Sequence, residues 1–192
     1  RKTGWEVVGV DIVPDILKSV PDNVSKRVSD VTTQPSSRMG QFDIGYAAFL
    51  VHLLSRRQKW AFYRSCASLI RPSGLVICLT ASEQDLKRRT ISHYFPSSVE
   101  IDLKRYDSIS SNCAMLRNAG FSPISIESIV LGGPHRDVNI EYYKNKRFSI
   151  LRLVPKREFA RGLERMIQDL EKKRLRRPRV WARTLIIAKR QN

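Results

Sequence analysis

Three cysteines, nine prolines, nine glycines and a shortage of acid mark this 192-residue chain. Cys66, Cys78 and Cys113 are odd in number and lack C-x-x-C spacing, which argues against a disulfide framework and against a zinc site. A reducing, cytoplasmic compartment fits that pattern. The low proline and glycine content excludes collagen-like and low-complexity classes, so disorder is not the default. No apolar run approaches the roughly 18–20 residues needed to cross a bilayer. The nearest, Phe49–Leu54, carries His52 and stops at Ser55-Arg56-Arg57. No membrane association and no secretory leader are therefore expected. The length suits one domain with a sizeable core. Because the sequence opens on Arg1 and runs almost at once into a strand-like segment, it reads as starting in the middle of something longer.

What is abundant is positive charge. Lys and Arg number 35 against 18 Asp and Glu, a formal +17. Residues 155–192 hold thirteen basic and four acidic side chains, so +9 of that total lies there. The densest piece joins Lys172, Lys173, Arg174, Arg176, Arg177 and Arg179. Such a cluster can neutralise phosphates and release counterions, which makes nucleic acid or another acidic partner a candidate. The plainer reading is the solvated end of a helix, where cations oppose the negative pole of the macrodipole. No aromatic residue interleaves the run as single-strand stacking would require, which favours the plainer reading.

Along the chain, strand and helix patterns alternate. Gly4–Asp11 is a β-branched run ending in an acid, followed by a short helix opened by Pro14. Val24–Val28 is a weaker strand ending at Asp30, and Phe42–Phe49 is a third strand. Ser55 caps a helix with apolar positions at Trp60, Tyr63, Ala67 and Ile70. Pro72-Ser73-Gly74 ends it before the apolar strand Leu75–Leu79. Residues 82–107 read as short helical turns and loops. A helix over Ser108–Asn118 stops at Gly120, and Ile124–Leu131 alternates as a strand. Pro155 starts a long amphipathic helix, and Val180–Ala188 is the last strand. This order predicts an open, mostly parallel α/β sheet with helices on both faces.

In such sheets ligands bind beyond the carboxyl ends of the strands. Asp11 stands at one such end, suited to a ribose diol, with Ile12 beside it to cover an adenine face. Asp30, at the next strand end, can accept from an adenine amine. Either acid is also an ordinary turn former. At these residues the chain resembles a family. Val8-Gly9-Val10-Asp11-Ile12 is similar to the second-strand motif of class I S-adenosylmethionine-dependent methyltransferases. Phe42–Leu54 resembles their fourth strand and its loop, Leu69–Val76 the turn into their fifth, and Ala119-Gly120-Phe121 the turn before their sixth. The region 101–108 and the helix from Pro155 resemble a small-molecule-type subgroup.

The resemblance implies a Rossmann-like fold, S-adenosylmethionine as cofactor and a small-molecule acceptor. Residues 1–131 and 179–192 would form the α/β unit, with 132–178 as a helical insertion ending in the basic run. It implies that Asp11, Ile12, Asp30, Ala47, Ala48 and Phe49 line the cofactor. His52 is a candidate general base, against the commoner structural role of that position. His93, Tyr94, Phe95, Asp102, Arg105 and Tyr106 fall in the connection that often builds the acceptor pocket, or simply pack their own loop. No metal is implied. One family feature is missing. No two glycines stand in a G-x-G pair, and the family's first strand with its glycine loop would lie upstream of Arg1. Without it, the strands ending near Asp11 and Ala48 are expected to lack their shared neighbour. The third glycine-turn position is expected to carry any unusual dihedral at Gly74, since Ser73 replaces the preceding glycine. Two alternatives stand beside this reading: an RNA or protein methyltransferase using the basic run, and a non-catalytic binding protein on the same fold.

Overall fold

The computed structural model describes residues 4–33, 41–130, 139–175 and 182–191. Strand β1 (Val8–Asp11) turns into helix α1 (Pro14–Lys18) through Asp11, whose Oδ1 accepts from the Val13 amide at 2.8 Å. Pro14 sits in the first turn, where its missing N–H leaves nothing unpaired. Strand β2 (Ser25–Val28) returns parallel to β1, with Val8 opposite Ser25 and Asp11 opposite Val28. Beyond β2 the chain docks on the next unit, where the Ser65 hydroxyl donates to the Thr33 carbonyl at 2.8 Å.

A second sheet has the order β3-β4-β6-β5. Strand β3 (Phe42–Ala48) crosses through helix α2 (Arg56–Leu69) to the parallel strand β4 (Ile70–Thr80). Ser55 and Gln58 form a reciprocal capping box at the start of α2, satisfying two otherwise orphaned amides. Helices α3 (Glu83–Lys87), α4 (Thr90–Tyr94), α5 (Ser97–Arg105) and α6 (Ile109–Asn118) follow. Gly120, at φ 88°, stops α6 and leads into β5 (Phe121–Val130). Helix α7 (Ile140–Lys144), a 3-10 turn at Ser149–Arg152 and helix α8 (Lys156–Glu171) precede β6 (Ala182–Arg190). Strand β6 runs antiparallel to both β4 and β5.

Several expectations need correction. The described strands form two sheets, and half of the strand pairings in them are antiparallel because β6 is reversed. Strand β1 starts at Val8, leaving Trp5 68% exposed. Strand β4 begins at Ile70, five residues before the apolar run, because the Pro72-Ser73-Gly74 segment is absorbed as a bulge. The left-handed dihedral falls on Ser73 (φ 64°) and not on Gly74. Gly74 is required for a different reason. A Cβ there would stand 2.7 Å from Ile70 Cγ2 and 2.8 Å from the Asp43 carbonyl oxygen. The short helical turns expected over residues 82–107 are present as three short helices, α3, α4 and α5.

Two apolar clusters hold the chain together. In the first, Phe62 and Tyr63 of α2 and Cys113 and Leu116 of α6 pack on Val76, Cys78, Phe121 and Ile186 of the sheet. The buried Tyr63 hydroxyl donates to Asn112 Oδ1 at 2.8 Å, and burial pushes it well above the ordinary phenol range. Burial likewise pushes the Cys78 thiol up to about 12 and raises Cys66, so both are unreactive thiols. In the second cluster, Ile91, Tyr94 and Phe95 around α4 meet Tyr143, Ile150, Leu151, Val154 and Met166. Helix α8 is fastened there by the Tyr94 hydroxyl on Asp169 (2.9 Å) and by Glu158 accepting from the Ser97 amide (2.9 Å).

Gly162 sets how closely α8 approaches. A Cβ at that position would lie 2.3 Å from the Tyr94 carbonyl oxygen and 2.7 Å from the Phe95 ring. Alanine would add up to about 1 kcal/mol of helix propensity. Overpacking against backbone and a buried ring costs about 1–3 kcal/mol, so the clash wins. Gly162→Ala is expected to lower the thermal midpoint measured by circular dichroism; an unchanged or raised midpoint would contradict this packing.

Candidate active site at the strand ends

Strand β3 stops paired, because the Phe49 amide still donates to the Leu79 carbonyl at 2.9 Å. Phe49 itself takes a left-handed backbone (φ 52°), a strained conformation for an aromatic residue. That reversal swings the chain into a 3-10 turn, Val51–Leu53, and lifts His52 off the sheet. The His52 ring then stacks on Tyr106, with centroids 4.2 Å apart and planes 7° from parallel. Tyr106 directly follows α5, which delivers Asp102 and Arg105 to the same place.

Asp102 is only 1% exposed, yet it is fully satisfied. Its Oδ2 receives Arg89 Nη1 at 2.8 Å and its Oδ1 receives Arg105 Nη1 at 2.9 Å. Arg105 also donates to the Ser149 hydroxyl at 3.2 Å, tying the second helical cluster to the site. Lys59, buried in α2, reaches Asp107 at 2.5 Å and the Arg105 carbonyl at 3.1 Å. Arg183, near the start of β6, lies over the Phe49 ring at 5.7 Å. Sequence reasoning missed Arg89, Arg183 and Lys59. None of the three carried a local signal: Arg89 was hidden in the polar run Lys87-Arg88-Arg89, and Arg183 shares β6 with Thr184, Lys189 and Arg190.

These charges govern the site's titration. Burial, then Arg105, Lys59 and Arg89, pull the His52 pKa down to about 4. The imidazole is therefore neutral near pH 7 and a weak proton acceptor. Burial and the Asp102 carboxylate push Tyr106 up to about 12, against the opposing pull of the nearby guanidiniums. Burial and the Arg89 charge lower the Arg183 pKa.

The remaining sequence-based candidates are distributed as follows. Asp11 and Asp30 stand at adjacent strand ends. Each shapes a local turn: Asp30 Oδ1 accepts from the Thr32 hydroxyl (2.7 Å) and amide (2.8 Å), which hold its carboxyl below the usual range. Ile12 is 62% exposed. Ala47 and Ala48 end β3, on the other sheet. A cavity lined by Val8, Val10, Val31, Phe42 and Leu69 lies between the two sheets. Tyr94 is buried in the second helical cluster, with its hydroxyl on Asp169; the adjoining His93 ring meets it edge-on at 4.8 Å and its carbonyl accepts from Arg165. Lys172, Lys173 and Arg174 are exposed, and their amides close the carboxyl end of α8. Arg176, Arg177 and Arg179 lie outside the described residues. Among the described residues no helix is long and apolar enough to cross a membrane.

No protein-family model matches the chain, and no curated protein matches it in sequence. Solved structures resemble it in three dimensions. A candidate methyltransferase of an antibiotic biosynthesis pathway from Anabaena variabilis superposes with a TM-score of 0.67 at 18% identity, covering 94% of this chain and 80% of that one. A candidate methyltransferase from Bacillus halodurans gives 0.58 at 16% identity, covering 98% and 84%. The N-methyltransferase NodS from Bradyrhizobium japonicum, bound to S-adenosyl-L-homocysteine, gives 0.55 at 8% identity, covering 97% and 67%. At these identities the likeness is one of fold: this chain has the α/β fold of S-adenosylmethionine-dependent methyltransferases.

The low His52 pKa has a sign that can be measured. Its ordinary value is 6.5, so the unfolded chain binds the proton first as pH falls. Stability from this group is present above 6.5 and is lost as pH drops towards about 4. His52→Gln should therefore lose less stability than the parent between those limits. Urea denaturation at both ends of the window checks this, and equal losses in parent and variant would refute the burial of a neutral imidazole.

Proposed function

We propose that this chain, built on a methyltransferase fold, belongs to an enzyme that moves a methyl group from S-adenosylmethionine to a small-molecule acceptor. The observation that carries the reading is the convergence of Phe49, His52, Tyr106 and the Asp102–arginine group beyond the carboxyl ends of β3 and β4, where α/β sheets bind ligands. The cofactor supplies a methyl on a sulfonium, which departs as a neutral thioether when the acceptor's lone pair takes the carbon. Asp11 would hold the ribose diol, the exposed Ile12 would cover the adenine, and Asp30 would accept from its amine. Ala47, Ala48 and Phe49 would line the transfer site. The residues for the adenosine end are thus present, whereas no G-x-G pair serves the methionine end.

In this reading His52 orients the acceptor more than it deprotonates it. A base with a pKa near 4 drives little proton transfer at neutral pH, so rate comes chiefly from alignment. His93, Asp102, Arg105 and Tyr106 would shape the acceptor pocket, and Tyr94 would support it from beneath through Asp169. In the same reading residues 132–178 would be an insertion in an α/β unit of 1–131 and 179–192.

We further infer that a strand and glycine loop encoded upstream complete the site. The support is the division of the sheet: β1 and β3 each pair on one side only among the described residues, and Tyr46 of β3 is 62% exposed. Such open, apolar edges are costly when left unpaired. Calorimetry with S-adenosylhomocysteine tests both statements. The 192-residue chain should bind weakly or not at all. The chain extended upstream should bind tightly, and Asp11→Ala in that longer chain should weaken binding by about tenfold or more. A start codon directly before Arg1, with an active protein, would overturn the missing-strand inference. Absence of binding by the extended chain would overturn the enzyme reading and favour a non-catalytic binding protein.

A second reading, an RNA or protein methyltransferase, is supported by the exposure of Lys172, Lys173 and Arg174. RNA binding that falls steeply with salt and is lost on charge reversal at Arg174 would favour it. The lack of aromatic residues in the basic run makes it the weaker of the two.

A further inference from the structure

A cavity of about 590 Å³ lies along α2, where Thr32, Trp60, Arg64, Ser68, Asn118 and Arg190 contribute to its wall. We propose that it is a second ligand site, taking a small phosphate monoester that carries a flat ring, with the phosphate on Arg64 and Arg190 and the ring against Trp60. This site does not depend on the methyl-transfer reading.

The cavity stands apart from the strand-end site and shares none of these residues with the group around His52. Strand β6 runs from Thr184, opposite Thr80, to Lys189, opposite Leu75, so Arg190 emerges at the far end of β4 from that group. Arg190 also stands opposite Phe121, the first residue of β5, and Asn118 closes α6 just before it. The volume falls within the roughly 300–1,000 Å³ of small-molecule pockets.

The chemistry of the wall favours an anion. Its hydroxyl protons are already spent: Ser65 donates to the Thr33 carbonyl at 2.8 Å, Ser68 to the Ser65 carbonyl at 3.0 Å and Thr32 to Asp30 at 2.7 Å. Arg190 gives Nη1 to the Ile70 carbonyl and keeps its charge. Arg64 is exposed, and its guanidinium has no carboxylate or hydrogen-bond partner. The exposed Asn118 amide adds a further donor, and no aspartate or glutamate is among the described residues of the wall. Nearby helix ends do not consume this charge. Helix α6 closes on the amides of Ala119 and Gly120, and Arg64 lies outside the last turn of α2, beyond which the negative pole fades. Two guanidiniums match the charge of about −1.5 to −2 on a phosphate monoester at pH 7 and would over-answer a single carboxylate. Their forked donors also suit phosphate oxygens. Trp60, half-buried on the same wall, adds an aromatic surface, and stacking on such a ring tolerates many flat partners.

Calorimetry on the 192-residue chain tests this, with phenyl phosphate, inorganic phosphate and benzoate in separate titrations. Phenyl phosphate should occupy one saturable site. It should bind about tenfold or more tighter than inorganic phosphate, which lacks the ring, and than benzoate, which lacks the second charge. Arg64→Gln should weaken phenyl phosphate by about tenfold while far-ultraviolet circular dichroism stays unchanged, since that exposed side chain holds nothing within the fold. Arg190→Gln should weaken it likewise; because Arg190 also serves the Ile70 carbonyl, the Arg64 variant decides the matter if Arg190→Gln loses structure. Three results would each overturn the proposal: no saturable binding, inorganic phosphate or benzoate bound as tightly as phenyl phosphate, or parent-like binding by Arg64→Gln. No titration contains S-adenosylhomocysteine, so failure here is separable from failure of the methyl-transfer reading.

Discussion

The carboxylate of Asp102, buried and gripped on both oxygens, fixes α5 against the helical segments that surround it. Arg89 brings in the link between α3 and α4, and Arg105, one turn on from Asp102 in α5, reaches the turn before α8 through Ser149. Stripping water from one carboxylate and two guanidiniums is expensive, and the geometry must be good to offset it. Both Asp102 oxygens are charge-assisted acceptors at 2.8 and 2.9 Å, which meets that condition. Removing Asp102 alone would leave two buried cations unanswered, so the rest of the pocket is arranged around it.

That constraint explains features that otherwise look unrelated. Tyr106 follows α5 at a fixed distance, so its ring offers a flat platform for His52. His52 can reach the platform only because Phe49 reverses the backbone at the end of β3. The Phe49 ring then lies under Arg183, bringing β6 into the same group. A strained dihedral, a stacked imidazole and a stacked guanidinium thus follow from one strand end.

Local signals were the legible ones. Ser55 with Gln58, Ser108, Gly120 and Pro155 each act through a few neighbouring atoms, and each bounds a helix or turn where expected. Apolar or alternating runs located the strands other than β2, whose Ser25-Lys26-Arg27-Val28 is exposed throughout. The reversal of β6 was not legible, because direction depends on how the chain crosses the sheet and leaves no periodic trace. Gly74 was expected to supply a dihedral and instead supplies space, which only the approach of Ile70 and Asp43 reveals. In the site, His52, Asp102, Arg105 and Tyr106 could be named from their position in the chain. Arg89 and Arg183 could not, since the groups they meet, Asp102 and the Phe49 ring, lie in distant segments.

The division of labour in the pocket follows from the same electrostatics. A histidine surrounded by Lys59, Arg89 and Arg105 cannot hold a proton at neutral pH, so it is a poor store for one released during transfer. Alignment demands the opposite qualities: a neutral ring with a fixed plane, guanidiniums with fixed donors and few torsions left to freeze. The methyl transfer proposed for this chain would ask chiefly for such alignment, and for little else if the acceptor is already a good nucleophile.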